Sequence, residues 1–257
     1  LAVLPILGVG GMQLFQAEVP GPSADKLTPR VRETAKRLWL LYVGITAIEV
    51  VLLLPAMSLF DAVNHAFATM ATGGFSPEGG SVGDYDSAYV DGVITVFMFL
   101  AGMNFALHYR MLRGEPLTAV RDTEFRAYVA ILAGGTALLV GATWEPTVAL
   151  LPGEGAETAY TSLATAVRYA VFQVVAIVTT TGFGTADYEL WAPLASGLLF
   201  LLFFCGGMAG STGGGMKVVR HVLLGKTAYR EIRQLVHPKA ILPIRLNDTV
   251  VDRTTID

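Results

Sequence analysis

The sequence predicts an all-α membrane protein built from repeated span–re-entrant helix–span units, and three observations carry that prediction. Of 257 residues, 53% are hydrophobic and only 15% are charged, against roughly 45–50% and about 25% in an average soluble domain. Lys and Arg gather in blocks separated by stretches almost free of them. Two short apolar runs, each ending in Thr and Gly, fall inside those stretches and are framed by longer apolar segments. Other classes are excluded. A disordered chain needs low hydrophobicity, collagen-like order needs Gly at every third position, and an internal disulfide needs a partner for the one cysteine, Cys205. A net charge of -3 leaves no basic surplus for nucleic acid, so no such partner is expected.

A membrane-spanning helix needs about 20 mostly apolar residues. Leu38–Met57, Val90–Leu112, Ala127–Trp144 and Ala192–Ala209 qualify. Leu1–Leu14 reads as the tail of a further span, and an apolar start without a charged leader points to a chain continued from a longer protein. Orientation follows from the cations, which collect on cytoplasmic flanks. Four lie in Arg30–Arg37, four in Arg110–Arg126 and seven in Lys217–Arg245. Ser58–Asp91 has none and carries Asp61, Glu78, Asp84, Asp86 and Asp91; Thr143–Trp191 has only Arg168 beside Glu145, Glu154, Glu157, Asp187 and Glu189. The inside is basic and the outside acidic.

Asp61–Ser76 and Tyr169–Gly184 are the two apolar runs. If either crossed the bilayer, the basic flanks would end on opposite sides, so both are expected to re-enter from outside. A shift of 109 places Thr72-Gly73 on Thr181-Gly182 and Asn64 on Gln173, an internal repeat clearer in layout than in letters. Non-helical backbone at membrane depth needs protein or a water-filled cavity around it. In such a cavity, carbonyl oxygens of a Thr-Gly turn can replace the water around a monovalent cation. One such turn alone would read as an ordinary loop; two in matching positions of a repeat do not.

Ala71-Thr-Gly-Gly-Phe-Ser76, Thr179-Thr-Thr-Gly-Phe-Gly184, the glycine-rich block Gly206–Lys217 and Arg233-Gln-Leu-Val-His-Pro-Lys239 together resemble the membrane subunits of the Trk/Ktr/HKT potassium transporter superfamily, most closely the bacterial TrkH type. The resemblance extends over nearly the whole chain. It implies four span–pore-helix–span units around a pseudo-fourfold pore in the bacterial inner membrane, each with one filter segment. On that template, 1-14 ends a first repeat, 15-37 is a cytoplasmic linker, 38-112 is the second pore repeat and 113-124 a second linker. The third repeat is then 125-235, and 236-257 leads into a fourth. The implied filter positions are Ala71, Thr72, Gly73 and Gly74 with Thr180, Thr181, Gly182 and Phe183, coordinating K+ through backbone carbonyls. In the superfamily, Ser in place of the filter Gly accompanies Na+ permeability, and Gly at both equivalent positions implies K+. A Na+ or mixed pathway of the same architecture is the alternative, and a non-conducting structural fragment is a further one.

Gly206–Gly215 holds six glycines in ten residues. Each would cost a helix about 1 kcal/mol relative to Ala, so the last span is expected to break here. The resemblance assigns gating to this loop, formed by Gly206, Gly207, Gly210, Ser211, Thr212, Gly213, Gly214 and Gly215, with the Ser211 and Thr212 hydroxyls lining a constriction. A phosphate-binding loop is excluded, because Met216 separates Gly215 from Lys217 and a span precedes the block. Close helix packing through small residues is the competing reading. Glu49 and Asn104, inside spans, are expected to bond between helices, with a place on a cation or proton pathway as the alternative, and Arg168 to fix an acid near the outer mouth or to snorkel to the interface. Glu78, Asp84, Asp86, Asp187 and Glu189 follow the two turns and are expected to surround the mouth, concentrating cations. His65, His108, His221 and His237 have no ligand spacing, so neither a transition-metal site nor a catalytic group is expected. No covalent cofactor is called for, and the protein is read as a non-enzyme. Lys217–Lys239 suits an amphipathic cytoplasmic helix facing anionic lipid headgroups. The resemblance adds a homodimer and a cytosolic nucleotide-binding regulatory subunit of the TrkA kind.

Overall fold

The computed structural model describes residues 31–148, 159–237, 243–247 and 249–250. The expected end of a first repeat at 1-14, most of the first linker, Glu154, Glu157 and Lys239 lie outside them. Ten helices run in chain order among the described residues: α1 Val31–Leu53, α2 Leu59–Met70, α3 Ala88–Ala101, α4 Phe105–Leu112, α5 Leu117–Arg121, α6 Thr123–Thr143, α7 Glu145–Val148, α8 Leu163–Val178, α9 Pro193–Leu202 and α10 Val218–Val236. A two-stranded antiparallel pair, β1 Arg245–Leu246 and β2 Thr249–Val250, sets Arg245 opposite Val250.

Short polar residues start these helices by accepting otherwise orphaned backbone N–H groups. Ser58 Oγ accepts from Asp61 N (3.2 Å) ahead of α2, Asn104 Oδ1 from Ala106 N (2.7 Å) ahead of α4, and Asp122 Oδ1 from Phe125 N (2.8 Å) ahead of α6. Helix α9 instead begins on Pro193, whose missing N–H costs nothing in a first turn.

Packing forms two units. Helix α2 lies against α1 and α3, and α8 lies against α6 and α9. Contact between α3 and α8 joins them. Ile94, Met98, Tyr128, Phe172 and Val174 occupy the shared core. The α1 side chains are arranged inside out: Thr34, Thr46 and Glu49 are buried, while Trp39, Leu40, Ile48 and Val51 are each more than half exposed. Such a surface is stable only against lipid or further apolar protein.

The first and third expected spans coincide with α1 and α6. Helix α1 has 23 residues and carries Lys36, Arg37 and Glu49; α6, with 21, is long and apolar enough to cross a bilayer by itself. The other two expected spans are broken. Val90–Leu112 is α3 and α4, bent by 101° across Gly102–Asn104. Ala192–Ala209 is helical only over the ten residues of α9, and irregular backbone follows to Lys217. The two breaks satisfy each other's backbone. Gly102 O accepts from Met208 N (2.9 Å), Ala101 O from Thr212 N (3.2 Å), and Gly210 O from Phe105 N (3.0 Å). Helices α2 and α8 have 12 and 16 residues, about 18 and 24 Å at 1.5 Å per residue, too short for a hydrocarbon core of about 30 Å. They match the expected re-entrant runs.

Gly102 sits where the break, α6 and the turn after α8 converge. A Cβ there would lie 2.5 Å from Tyr128 Oη and 2.7 Å from Thr179 Cγ2. Gly102→Ala is therefore expected to destabilise the detergent-solubilised protein by about 1–3 kcal/mol, as overpacked cores do, read as a lowered melting temperature.

Candidate ion pathway

The turns after α2 and α8 have the same construction. Ala71 and Thr179 cap the helices in right-handed conformation (φ -82° and -78°). Thr72 and Thr180 are left-handed (φ 52° and 60°), as are Gly74 and Gly182 (φ 65° and 83°). Gly73 N and Gly74 N both donate to Ala68 O (2.7 and 3.3 Å), and Thr181 N and Gly182 N both donate to Ala176 O (2.9 and 3.0 Å). Every one of these pairs is separated by 108 residues. The expected shift of 109 is thus corrected by one. Thr72 corresponds to Thr180, Gly73 to Thr181, Gly74 to Gly182, and His65, not Asn64, to Gln173. The reason is conformational: two left-handed residues flanking one that is not left-handed fix the register, whatever letter stands between them.

The turns lie side by side. A Cβ on Gly74 would overlap the Thr181 carbonyl oxygen, and the nearest atoms of Gly182 would lie 3.1 Å away. Only glycine permits that approach at a left-handed position. The carbonyls of Thr72, Gly73, Gly74, Thr180, Thr181 and Gly182 accept no hydrogen bond among the described residues, which leaves their lone pairs available to a cation. Ala71, Gly73 and Gly182 are exposed, whereas Thr181 and Phe183 are buried. Phe183 turns its ring inward, 5.7 Å from His65. In the corrected register the second turn is Thr179–Gly182, one residue earlier than expected.

The glycine-rich loop is bonded to the inner ends of both turns. Thr72 Oγ1, whose one proton lies between Ala71 O (2.7 Å) and Thr212 O (3.1 Å), faces the loop backbone, and Gly214 N donates to Thr180 Oγ1 (2.6 Å). Ser211 Oγ donates to Met208 O (2.6 Å) and Thr212 Oγ1 to Ala101 O (3.1 Å), so both hydroxyls hold the loop together and to the α3 end. Gly206, Gly207 and Gly213 approach other backbone segments too closely for a side chain. A Cβ on Gly206 would meet Gly214 O, one on Gly207 would lie 3.0 Å from Gly102 O, and one on Gly213 would lie 2.9 Å from Thr179 O. Gly210 and Gly215 are left-handed. Lys217 Nζ donates to Gly213 O.

On the outer side, Arg168 at α8 pairs with Asp91 at the start of α3 (2.7 Å) and lies 3.9 Å from Asp86. Fixing an acid is the role the structure gives it. Ser81 Oγ accepts from Gly184 N (3.2 Å) and Gly83 N donates to Gly184 O (3.0 Å), tying the outer loop of one unit to the filter end of the other. Glu78, Asp84, Asp86, Asp187 and Glu189 are all exposed. Their field is registered by Tyr85: burial first, then the carboxylates of Asp61, Glu78 and Asp84, push its phenol up to about 12. Asn104 caps α4 and does not bridge helices. Glu49 is fully buried with no hydrogen-bond partner among the described residues; Thr69, on the adjacent α2, spends its hydroxyl proton on His65 O (2.7 Å).

Sequence reasoning missed two residues. His65 lies behind the first turn, Nδ1 at 2.8 Å from Asp61 O and Nε2 at 3.0 Å from Ser76 Oγ. Glu124, in the first turn of α6, reaches the glycine-rich loop. Neither had a signal beyond its spacing: His65 is a lone histidine on an apolar helix, and an acid in a first helical turn is already explained by the helix dipole.

Paired half-helices ending in unbonded carbonyls, set among helices that break beside them, define a polytopic membrane protein of the pore-loop class. The chain belongs to the TrkH family of cation transport proteins, whose family profile matches residues 1–257; these are multi-pass proteins of the bacterial inner membrane. It is 41% identical over 260 residues to the Trk system potassium uptake protein TrkH of Escherichia coli, matching 100% of this chain and 52% of that protein. It is 40% identical over 254 residues to the TrkH of Halomonas elongata, matching 98% of this chain and 50% of that one. The crystal structure of the potassium transporter TrkH from Vibrio parahaemolyticus superposes with a TM-score of 0.78 at 36% identity, over 99% of this chain and 50% of that one. The chain spans about half the length of these relatives.

The register makes a prediction. Gly74→Ala is expected to lower the melting temperature of the detergent-solubilised protein, because its Cβ strikes backbone, whereas Gly73→Ala meets only the Phe75 ring at 3.3 Å and should stay close to the parent. Thermal unfolding of both variants checks this.

Proposed function

We propose that the intact protein takes up K+ across the inner membrane through a filter of backbone carbonyls, to which this chain contributes two walls. The observation that carries the reading is the pair of equivalent turns pressed together at Gly74 and Thr181, with their carbonyls unbonded. Carbonyl oxygens can replace the hydration shell of an alkali ion in a cavity from which bulk water is excluded. Two walls cannot encircle an ion. A Cβ on Gly182 would meet nothing within 4 Å, so the side of the second turn that corresponds to the Gly74 contact is open to a further wall, and the relatives are about twice as long. Segments 38-112 and 125-235 are then two of four pore repeats, and Ala71–Gly74 with Thr179–Gly182 are their filter positions.

The glycine-rich loop Gly206–Gly215 is the gate. It lies across the inner ends of the turns, with Thr212 O 3.1 Å from the Thr72 hydroxyl and Gly214 N donating to the Thr180 hydroxyl. Exposed carboxylates at the outer mouth raise the local cation concentration, over about 8 Å at physiological salt. No bond-making chemistry belongs to this reading, and K+ is cargo, not cofactor. The exposed apolar face of α10, with Leu224, Ile232 and Leu235, and its basic residues suit the cytoplasmic lipid surface. A second copy of the membrane subunit and a TrkA-like regulatory ring are the partners of the assembled system.

Gly182→Ser in the full-length protein tests the filter: the ratio of K+ to Na+ uptake should fall severalfold, and an unchanged ratio in correctly inserted protein overturns the assignment. Deleting Gly210–Gly214 tests the gate: K+ flux should rise in folded protein, and an equal or smaller flux overturns it.

A further inference from the structure

Helix α10 starts without a cap of its own. Its N-cap is Lys217, a side chain with no acceptor, and it makes no capping bond. The acceptor comes from another helix. Glu124 Oε1, in the first turn of α6, takes the N–H of Val219 (3.0 Å), second residue of α10, and the N–H of Ala209 (2.7 Å), in the glycine-rich segment. One buried oxygen, 85 residues away from Ala209 and 95 from Val219 in sequence, therefore holds the two flanks of the segment that lies under the filter turns. The anchor is itself braced. Asp122 Oδ2 accepts from Asn247 Nδ2 (2.9 Å) while Asn247 Oδ1 accepts from Thr123 N (2.9 Å), pinning the α6 terminus to the strand pair beyond α10.

We propose that Glu124 is the positioning residue that clamps the gate loop in its closed arrangement, holding the loop and the start of α10 to α6 through one side-chain oxygen. The inference rests on the gate reading above and adds its anchor. The flanks also bond to each other, Gly206 N to Met216 O (2.9 Å) and Val218 N to Gly207 O (3.1 Å), so the loop and the start of α10 form one piece; Glu124 ties that piece to α6 through a single atom. A buried N–H left without an acceptor is unfavourable, so removing this oxygen loosens both flanks from α6 together.

The test uses the full-length protein in liposomes, with backbone hydrogen exchange and K+ flux measured on the same preparations. Glu124→Ala should speed exchange across residues 207–219 by about tenfold, the population change that about 1.4 kcal/mol gives, and raise K+ flux in the same direction. Glu124→Asp, which retracts the oxygen by one methylene with little risk to folding, should do the same to a smaller degree. Glu124→Gln keeps an oxygen able to accept both bonds and should stay close to the parent in both readouts. Unchanged exchange in the Ala and Asp variants overturns the clamp, as does a Gln variant that behaves like Ala. Faster exchange with unaltered flux overturns the link between clamp and gate. A parent protein that carries no K+ while the exchange pattern appears as stated overturns the uptake reading instead, and leaves the clamp standing.

Discussion

Backbone at membrane depth has no water to turn to, and an unsatisfied amide or carbonyl there costs several kcal/mol. This chain breaks two helices at that depth, and each break supplies the partners of the other. Ala101 and Gly102 offer carbonyls freed by the end of α3, and Thr212 and Met208 bring the N–H groups that take them; Phe105, starting α4, returns a bond to Gly210. Neither break is tolerable alone. The arrangement also explains the density of glycine, because chain segments that exchange backbone bonds must come closer than side chains allow, as at Gly206 and Gly207. The loop beneath the filter turns is held by the same bonds that let the preceding helix stop.

Much of this was legible in the sequence. The two short runs that the parity of the cation blocks forbade to cross are α2 and α8, both too short for a span. The amphipathic α10 was visible in Lys217–Lys239. What escaped has physical reasons. Val90–Leu112 reads as one apolar span because hydropathy measures composition, and Gly102-Met-Asn104 interrupts the helix with one glycine and one cap in an otherwise apolar stretch. The break is imposed from outside, by a loop more than a hundred residues away. The repeat was read one residue out because Thr-Gly was matched to Thr-Gly. The backbone instead repeats left-handed positions, which a threonine can occupy as well as a glycine at Thr72 and Thr180. Among site residues, the glycine-bearing turns announced themselves; Glu124 and His65 did not, since their partners are backbone atoms of distant segments.

Electrostatics divide along the same axis. Outside, the one cation, Arg168, is absorbed by Asp91 and borders Asp86, so it braces α8 against α3 without offsetting the exposed acids of the mouth. Inside, Lys217 directs its ammonium to Gly213 O, placing a positive charge at the lower edge of the loop. The exposed acids and the Lys217 ammonium thus lie on segments bonded to the turns after α2 and α8, at opposite ends of the same pair of turns.

The two turns share a backbone but not a bracket. Behind the first, His65 bonds to Ser76; at the same place behind the second, Gln173 faces a turn whose corresponding residue is Gly184, and its amide oxygen has no partner among the described residues. Two turns encoded by tandem segments of one polypeptide escape the rule governing rings of identical subunits, where any codon change is copied around the circumference. Here each turn can drift, stiffen or loosen by itself, and the packing behind one can change while the other keeps its own.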